Sequence, residues 1–155
     1  MDSSDSIASS NEKAWDALVK AKQSFTVPWL DLDPNLLRHY AEGKLKPDKK
    51  LGYWIHPWSF LADVKGKEVL CLAAGGGQQS AVFSLLGAKV TVVDLSEGQL
   101  AGDCKAAEHY GYAVKTIKTD MRDLSCLPAT SFDLVYQAPS MGYIPDVRVV
   151  YAQVA

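Results

Sequence analysis

The sequence lacks the segments that direct a chain into a membrane or out of the cell. No apolar run approaches the length of a membrane span. The first ten residues, MDSSDSIASS, have neither the basic and apolar regions of a signal peptide nor the arginines of a transit peptide. We therefore expect no membrane partner, and we interpret residues 1–10 as a disordered tail.

Cysteine is scarce, and its spacing argues against two classes of protein. Cys71, Cys104 and Cys126 lie far apart, without the spacing of a metal site or a redox pair. Their odd number argues against a disulfide framework. We expect no bound metal, and a reducing cytoplasm is the simplest location for the protein.

A strong excess of charge of one sign is also missing. Charged residues make up 22% of the 155-residue chain and leave a net charge of -2, whereas apolar residues reach 48%. This composition is typical of a folded globular protein and gives no overall attraction to nucleic acid or to anionic membranes. We expect a chain of ordinary domain size with a small-molecule partner and no nucleic acid.

Apolar periodicity predicts helices in the first part of the chain and alternating strands and helices in the second. Residues 11–63 contain two amphipathic helical patterns and all four tryptophans, which predicts a helical, aromatic cap. From residue 64 the pattern indicates strand, helix, strand, helix, strand, loop, strand and helix. Right-handed crossovers turn this order into an α/β, Rossmann-like parallel sheet flanked by helices, with strand order 3-2-1-4 and a buried fourth strand.

Three consecutive glycines follow the first predicted strand directly, in the stretch VLCLAAGGGQQS from Val69 to Ser80. Glycines at such a turn let the backbone approach a ligand closely, and the next helix presents unpaired N–H groups. Gly75 and Gly77 supply the first two glycines of a dinucleotide fingerprint, but Ser80 stands in place of the third. The motif alone is compatible with a cofactor site or with a tight structural turn.

Acidic residues at the ends of the next two strands strengthen the cofactor interpretation. Asp94 ends the second strand, where a carboxylate can accept hydrogen bonds from both ribose hydroxyls of a nucleoside. Ser96 and Gln99, directly after it, have the spacing of a capping box. Asp120 and Met121 follow the third strand, on the side where an adenine would lie if Asp94 held its ribose. The three strand ends together predict a nucleoside site.

On these residues the chain resembles the class I S-adenosylmethionine-dependent methyltransferases, and more closely the small-molecule group called methyltransferase type 11. The resemblance spans roughly Val64 to Ala155 and is carried by VLCLAAGGGQQS, VTVVDLSEGQL, KTDMRDL and SFDLVYQ. It implies a cofactor-binding domain over residues 64–155, S-adenosylmethionine as cofactor, and in-line attack by a small-molecule acceptor on the sulfonium methyl.

The resemblance also implies roles for individual residues. Ala73, Gly75 and Gly77 would line the methionine part of the cofactor, and Gln137 would lie near the sulfonium. The residues expected at the ribose and adenine are Asp94, Leu95, Asp120 and Met121. In this family an acidic residue is common where Cys71 stands, and a glycine is common where Ala73 stands.

A sulfonium methyl is already activated, so the reaction requires alignment more than a nucleophile or a metal. A general base would help only a weakly acidic acceptor, and His56, Tyr136 and Tyr143 are the side chains we consider for it. His56, between aromatic residues, is better explained by packing or by a structural hydrogen bond. Two interpretations, an aromatic lid over the acceptor or core packing, stay open for five residues: Trp15, Trp29, Tyr53, Trp54 and Trp58.

Two other functions stay open on the sequence alone. An NAD(P)-dependent oxidoreductase would use Gly75, Gly77 and Asp94 equally well, although it leaves Asp120 and Met121 unexplained. A non-catalytic nucleoside-binding module is the other alternative. A complete member of the resembled family continues with further strands beyond the last predicted helix, so we expect the 155-residue form to be truncated at its C-terminus.

Overall fold

A parallel four-stranded sheet is the centre of the computed structural model, which describes residues 3–137 and 139–155. The strands are β1 (Glu68–Leu72), β2 (Lys89–Asp94), β3 (Val114–Lys118) and β4 (Leu134–Gln137). They pair in the order β3-β2-β1-β4, each pair parallel. The predicted strand order and the α/β, Rossmann-like fold class are confirmed.

Helices flank this sheet and connect its strands. The chain begins with α1 (Ser3–Lys20), α2 (Pro34–Ala41) and α3 (Lys49–Trp54), continues with α4 (Gln79–Leu85) and α5 (Glu97–Tyr110), and ends with α6 (Val147–Val154). Short 3-10 helices cover Ser24–Thr26, Trp58–Asp63 and Met141–Tyr143. α5 begins as the capping-box spacing predicts, because the Ser96 hydroxyl accepts the Gln99 N–H at 3.1 Å.

The N-terminal segment differs from the sequence expectation. The disordered tail predicted for residues 1–10 is wrong from Ser3 onward, because α1 begins there; Met1 and Asp2 lie outside the described residues. Ile7 and Ala8 line a cleft at the carboxyl ends of the strands. The next turn of α1 is held by the Asn11 side-chain amide, which donates to the Tyr143 carbonyl oxygen at 2.8 Å. These tertiary contacts order a segment whose composition is polar.

The fourth strand also differs from its prediction. β1 and β2 are central and almost fully buried, whereas every residue of β4 is only half-buried. In the part of the chain that the structure describes, β4 pairs with β1 on one side and with no strand on the other. The predicted order 3-2-1-4 correctly places this strand at an edge of the sheet, but the expectation that it is buried is wrong, because an apolar run such as FDLVY does not indicate how far an edge strand is covered.

The helical cap and the sheet share one continuous core. Trp29, Leu37 and Ile55 from the cap belong to the same buried cluster as Val69 of β1 and Phe83 of α4. A second cluster, on the opposite face, is formed by Leu70, Leu72, Val93, Met121, Leu124 and Val150. Both faces of the sheet are thus covered, and its carboxyl-terminal edge is left for ligands.

Candidate functional site

A cleft opens where β1, β2 and β3 end, and we call it the strand-end cleft. The sequence-predicted residues that it brings together are Ala73, Asp94, Leu95, Asp120 and Met121. Its other walls come from α1, from the first turn of α5 and from the segment after β4, which contribute Ile7, Ala8, Asn11, Trp15, Gln99, Ser140, Tyr143 and Ile144.

A second cleft adjoins the first, and we call it the aromatic cleft. Ala73 and Gln99 line both clefts, and Gly75 lines the aromatic one. Its aromatic walls are Trp15, Phe25, Tyr53, Trp54 and Tyr143. No lysine, arginine, aspartate or glutamate is found among the described residues that line it.

Asp94 connects the glycine turn to the strand-end cleft. Its Oδ2 accepts the Gly75 N–H and its Oδ1 accepts the Ser96 N–H, both at 3.0 Å. Burial raises the pKa of Asp94 above its ordinary value, and these backbone hydrogen bonds oppose the increase. A carboxylate oxygen can accept more than one hydrogen bond, so Asp94 retains the capacity to bind ligand hydroxyls.

Asp120 is held by its neighbour Arg122. The arginine Nε lies 3.0 Å from both carboxylate oxygens, and the Arg122 backbone N–H donates to Oδ1 at 2.8 Å. Burial favours a higher pKa for Asp120, but the hydrogen bonds and the charge of Arg122 outweigh it, and the pKa lies below its ordinary value. Asp120 is therefore ionised at neutral pH, next to Met121, which is buried in the wall of the cleft.

Gln99 is a site residue that the sequence analysis used only to place a helix cap. Its side chain is 5% exposed, and Oε1 is buried without a hydrogen-bond partner among the described residues. An unpaired buried acceptor is unfavourable, and this oxygen lies against the glycine loop, 3.4 Å from where a Cβ at Gly76 would stand. The signal in the sequence is its position, in the first turn of the helix that follows Asp94.

Gly77 supports the glycine loop and does not line either cleft. Its N–H donates to Asp103 Oδ1 at 3.0 Å, and its carbonyl oxygen accepts the Trp29 N–H at 3.1 Å. A Cβ atom at Gly77 would stand 2.4 Å from the Gly102 carbonyl oxygen of α5. The close approach that requires glycine here is therefore to α5.

Asp103 is the second residue that sequence reasoning missed. It is completely buried on α5; Oδ2 accepts the Gly76 N–H at 3.0 Å, and Oδ1 accepts both the Gly77 N–H and the Ser80 hydroxyl. Burial raises the pKa of Asp103 to about 7, although these hydrogen bonds favour the ionised form. The sequence carries no signal for this role, because an aspartate within a helix is usually exposed.

The remaining predicted residues lie in different places. Gln137 lines neither cleft, and its side-chain amide donates to Ser140 Oγ at 3.0 Å. His56 lines a separate cavity beside α2 and α3. The Tyr136 hydroxyl donates to the Trp54 carbonyl oxygen at 2.9 Å, and burial raises its pKa to about 12. Of the three bases considered, Tyr143 is the one that lines the clefts.

The two interpretations of the aromatic residues apply to different members of the set. Trp29 and Trp58 are 5% and 6% exposed and belong to the core. Trp15 lies in the wall between the clefts, with its ring centroid 6.0 Å from that of Phe25 and 5.5 Å from that of Tyr143. Tyr53 and Trp54 contact the aromatic cleft from α3.

Two further observations concern metals and membranes. Across residues 3–137 and 139–155, no group of three or more histidine, cysteine or acidic side chains is arranged to hold a metal ion. Within the same ranges, no helix combines the length and the apolar character needed to cross a membrane.

Two comparisons connect the sequence to proteins with a known class of activity. A sequence model of the methyltransferase domain family matches residues 69–155. An uncharacterised methyltransferase of Bacillus subtilis (strain 168), YbaJ, is 34% identical over 147 residues, which are 92% of this chain and 54% of that protein. The chain thus spans about half the length of this curated relative.

Solved structures share the fold. An S-adenosylmethionine-dependent methyltransferase from Mesorhizobium loti is 29% identical, with a TM-score of 0.54 over 63% of this chain and 45% of that chain. Phosphoethanolamine N-methyltransferase 1 from Haemonchus contortus, solved with phosphoethanolamine and S-adenosylhomocysteine, is 20% identical, with a TM-score of 0.64 over 99% of this chain and 29% of that chain. At 20% identity, the likeness to the Haemonchus contortus enzyme shows the fold alone.

These findings confirm the resemblance found on the sequence and do not support the oxidoreductase alternative. The segments that carried the resemblance, from the glycine turn to β4, lie within the matched residues. Because the match covers more than half of the sequence, the chain belongs to the methyltransferase domain family.

Proposed function

We propose that the chain binds S-adenosylmethionine in the strand-end cleft and transfers its methyl group to a small-molecule acceptor in the aromatic cleft. One observation carries this proposal: the carboxylates Asp94 and Asp120 line one cleft together with Gln99 and the apolar Met121, and that cleft adjoins an uncharged aromatic one. A nucleoside carries hydroxyl and amino donors together with an apolar ring face, so it matches this set.

The residues fit the parts of the cofactor in a defined way. Asp94 would accept the ribose hydroxyls, and Gln99 lines the same cleft. Asp120 would accept the adenine amino group, while Leu95 and Met121 pack on the ring. Ala73 and Gly75 would line the methionine part, and we propose no direct contact for Gly77 or Gln137.

The cofactor, when bound, supplies a methyl group that is already activated for transfer. The chain's own contribution is then to orient the acceptor and to exclude water, which the aromatic walls are suited to do. Tyr143 is the proposed base where an acceptor needs one, because it lines both clefts. Tyr136 is unsuited to this role, because it lines neither cleft and its hydroxyl donates to the Trp54 carbonyl oxygen.

The walls of the aromatic cleft restrict the class of acceptor. A carboxylate or a phosphate would lose its hydration there without meeting a cationic side chain among the described lining residues. We therefore propose an uncharged acceptor, and the net charge of -2 favours a small molecule over nucleic acid.

A reducing cytoplasm remains the proposed location, supported by the free thiols of Cys104 and Cys126.

Calorimetric titration of the 155-residue chain with S-adenosylmethionine, S-adenosylhomocysteine and NAD tests the cofactor. Both adenosyl compounds should bind, and Asp94→Ala should weaken binding by about 1.5–3 kcal/mol, the value of hydrogen bonds to a charged group. Asp133→Ala is the matched control, because this exposed aspartate also accepts a backbone N–H, that of Glu68, at the opposite end of β1.

The outcomes separate the three functions. Binding of NAD alone would contradict the proposal. Binding of S-adenosylhomocysteine with an unchanged affinity in Asp94→Ala would mean that another residue holds the ribose. Binding of both adenosyl compounds, without methyl transfer to uncharged small-molecule acceptors, would favour the nucleoside-binding module.

A further inference from the structure

The glycine loop, Gly75 to Gly77, is supported by the buried carboxylate of Asp103. The two oxygens of Asp103 accept the N–H groups of Gly76 and Gly77, each at 3.0 Å, and the hydroxyl of Ser80 at the start of α4. The Gly75 N–H, one residue earlier, donates to Asp94. Each of the three consecutive glycine N–H groups thus donates to a carboxylate of the protein, either Asp94 or Asp103. The conformation of the loop therefore depends on these two carboxylates.

The Gly76 N–H also donates to the backbone carbonyl oxygen of Gln99 at 3.0 Å, so the loop relies on Asp103 most directly at the Gly77 N–H. Gly76 and Gly77 have φ angles of 119° and 73°, which side chains rarely adopt, so their conformation requires external support. The loop also lies directly on α5, where a Cβ at Gly102 would stand 2.9 Å from the Gly76 carbonyl oxygen. A small displacement of Gly76 and Gly77 would move Gly75, which lines the aromatic cleft.

We propose that Asp103 is a positioning residue of the cofactor site, and that its negative charge fixes the glycine loop in the conformation that binds the cofactor. The part that concerns binding rests on the proposed function. The part that concerns the loop does not, because the hydrogen bonds to Gly76 and Gly77 exist in the free protein and can be measured there.

The charge is necessary because three donors converge on two oxygens. A protonated carboxyl group has an O–H donor of its own, which competes with the donors that already face it. The Ser80 hydroxyl can rotate to accept that proton, but the backbone N–H groups of Gly76 and Gly77 cannot. Protonation therefore removes or weakens a hydrogen bond to the loop.

The surroundings of Asp103 make this protonation accessible near neutral pH. The titratable groups that face it are Cys71 of β1, Asp94 of β2 and Tyr112, which follows α5. The thiol and the phenol have raised pKa values and are neutral, and Asp94 opposes a second negative charge nearby. Burial, with the charge of Asp94, therefore raises the pKa of Asp103 to about 7, against the hydrogen bonds from Ser80, Gly76 and Gly77.

Nuclear magnetic resonance of the free, 15N-labelled chain tests the effect on the loop. The amide signals of Gly76 and Gly77 should shift with pH along one titration curve whose midpoint is near pH 7. Asp103→Asn should abolish that curve. Ser80→Ala should move its midpoint to higher pH, because the Ser80 hydrogen bond favours the ionised carboxylate.

Calorimetric titration with S-adenosylhomocysteine at pH 6, 7 and 8 tests the effect on the site. The dissociation constant of the unmodified chain should increase about tenfold from pH 8 to pH 6, as the ionised fraction of Asp103 falls. Asp103→Asn should bind S-adenosylhomocysteine weakly, with little pH dependence in this range. The affinity of Ser80→Ala should change with pH around the same higher midpoint that its glycine amide signals show. Asp133→Asn, which removes an exposed charge, should behave as the unmodified chain.

The results separate the two proposals. Gly76 and Gly77 amide signals that stay in Asp103→Asn at their pH 8 positions would overturn the role of Asp103; if that variant fails to fold, a midpoint that Ser80→Ala leaves unchanged would overturn it. A normal titration of the loop without any binding of S-adenosylhomocysteine would overturn the proposed function and the binding role, and would leave Asp103 as a residue that shapes the loop alone.

Discussion

At Gly77 the chain leaves no space for a side chain. A methyl group there would stand 2.4 Å from the Gly102 carbonyl oxygen and 2.9 Å from Pro28 Cβ, and the φ angle of 73° is itself unfavourable for alanine. We expect Gly77→Ala to lower the free energy of unfolding by about 2–5 kcal/mol, the sum of overpacking and left-handed strain.

The control for Gly77→Ala is Gly142→Ala, because a Cβ at Gly142 meets nothing within 4 Å. Chemical denaturation of both variants, followed by tryptophan fluorescence, measures the difference. Equal denaturation midpoints would show that the loop moves away from α5 without cost.

The two departures from the family pattern have different structural consequences. Cys71 is completely buried in β1, and burial raises its pKa, so the thiol is a neutral packing residue beside Asp103. Ala73 has a φ angle of 45°, in the left-handed region, where the glycine of the family would be unstrained. With Cys71 in place of the acidic residue, no second carboxylate lies next to Asp103. With Ala73 in place of the glycine, the backbone at the junction of the two clefts is strained.

At the scale of elements, one aspartate connects α1 to the start of α5. Asp16 Oδ1 accepts the Ser96 hydroxyl and, at 3.3 Å, the Gly98 N–H, next to the Asp94 end of β2. We expect Asp16→Ala to destabilise the docking of α1 by about 1–3 kcal/mol. The substitution removes a part-buried charged acceptor and leaves its two donors, the Ser96 hydroxyl and the Gly98 N–H, without it.

Hydrogen exchange measures this effect directly. Amides of α1 should exchange faster in Asp16→Ala than in the unmodified chain, while those of β1 and β2 should not change. Lys13→Ala is the control on the same helix, since Lys13 is exposed. Uniformly faster exchange across the sheet would contradict a local role for Asp16.

The elements that the sequence predicted are those whose signal is local. β1 has a continuous apolar run and β2 has one that Thr91 interrupts. α5 has a capping box and ends at Gly111 in the left-handed conformation, and the strand order follows from crossover rules. The start of α1 and the exposure of β4 depend on neighbours distant in sequence. Local composition therefore predicted a tail and a buried strand, and both predictions were wrong.

The residues of the site likewise fall into those that local sequence signals predicted and those that they did not. Asp94, Asp120 and Met121 follow strands, so topology alone predicted that they lie together. Gln99 and Asp103 are brought to the site by the face that α5 presents to the glycine loop. The amphipathic pattern of α5 is weak, so the sequence does not indicate which face is buried.

At the scale of the whole molecule, the buried carboxylates of the site make stability depend on pH. Burial raises the pKa of Asp103 from its ordinary value of 3.8 to about 7, and it raises that of Asp94 as well. Between pH 4 and pH 7 the folded chain therefore binds more protons than the unfolded chain, and the free energy of unfolding decreases as pH rises through this range.

Denaturation in urea at pH 6 and pH 8 measures this dependence. We expect the free energy of unfolding to be about 1–1.5 kcal/mol lower at pH 8, and Asp103→Asn to remove most of that difference. The sign is opposite to that expected for binding of S-adenosylhomocysteine, which should strengthen as pH rises. A chain that becomes more stable towards pH 8 would contradict the raised pKa of Asp103. The expected result would mean that the charge that shapes the glycine loop reduces the stability of the fold, a cost that functional sites commonly impose.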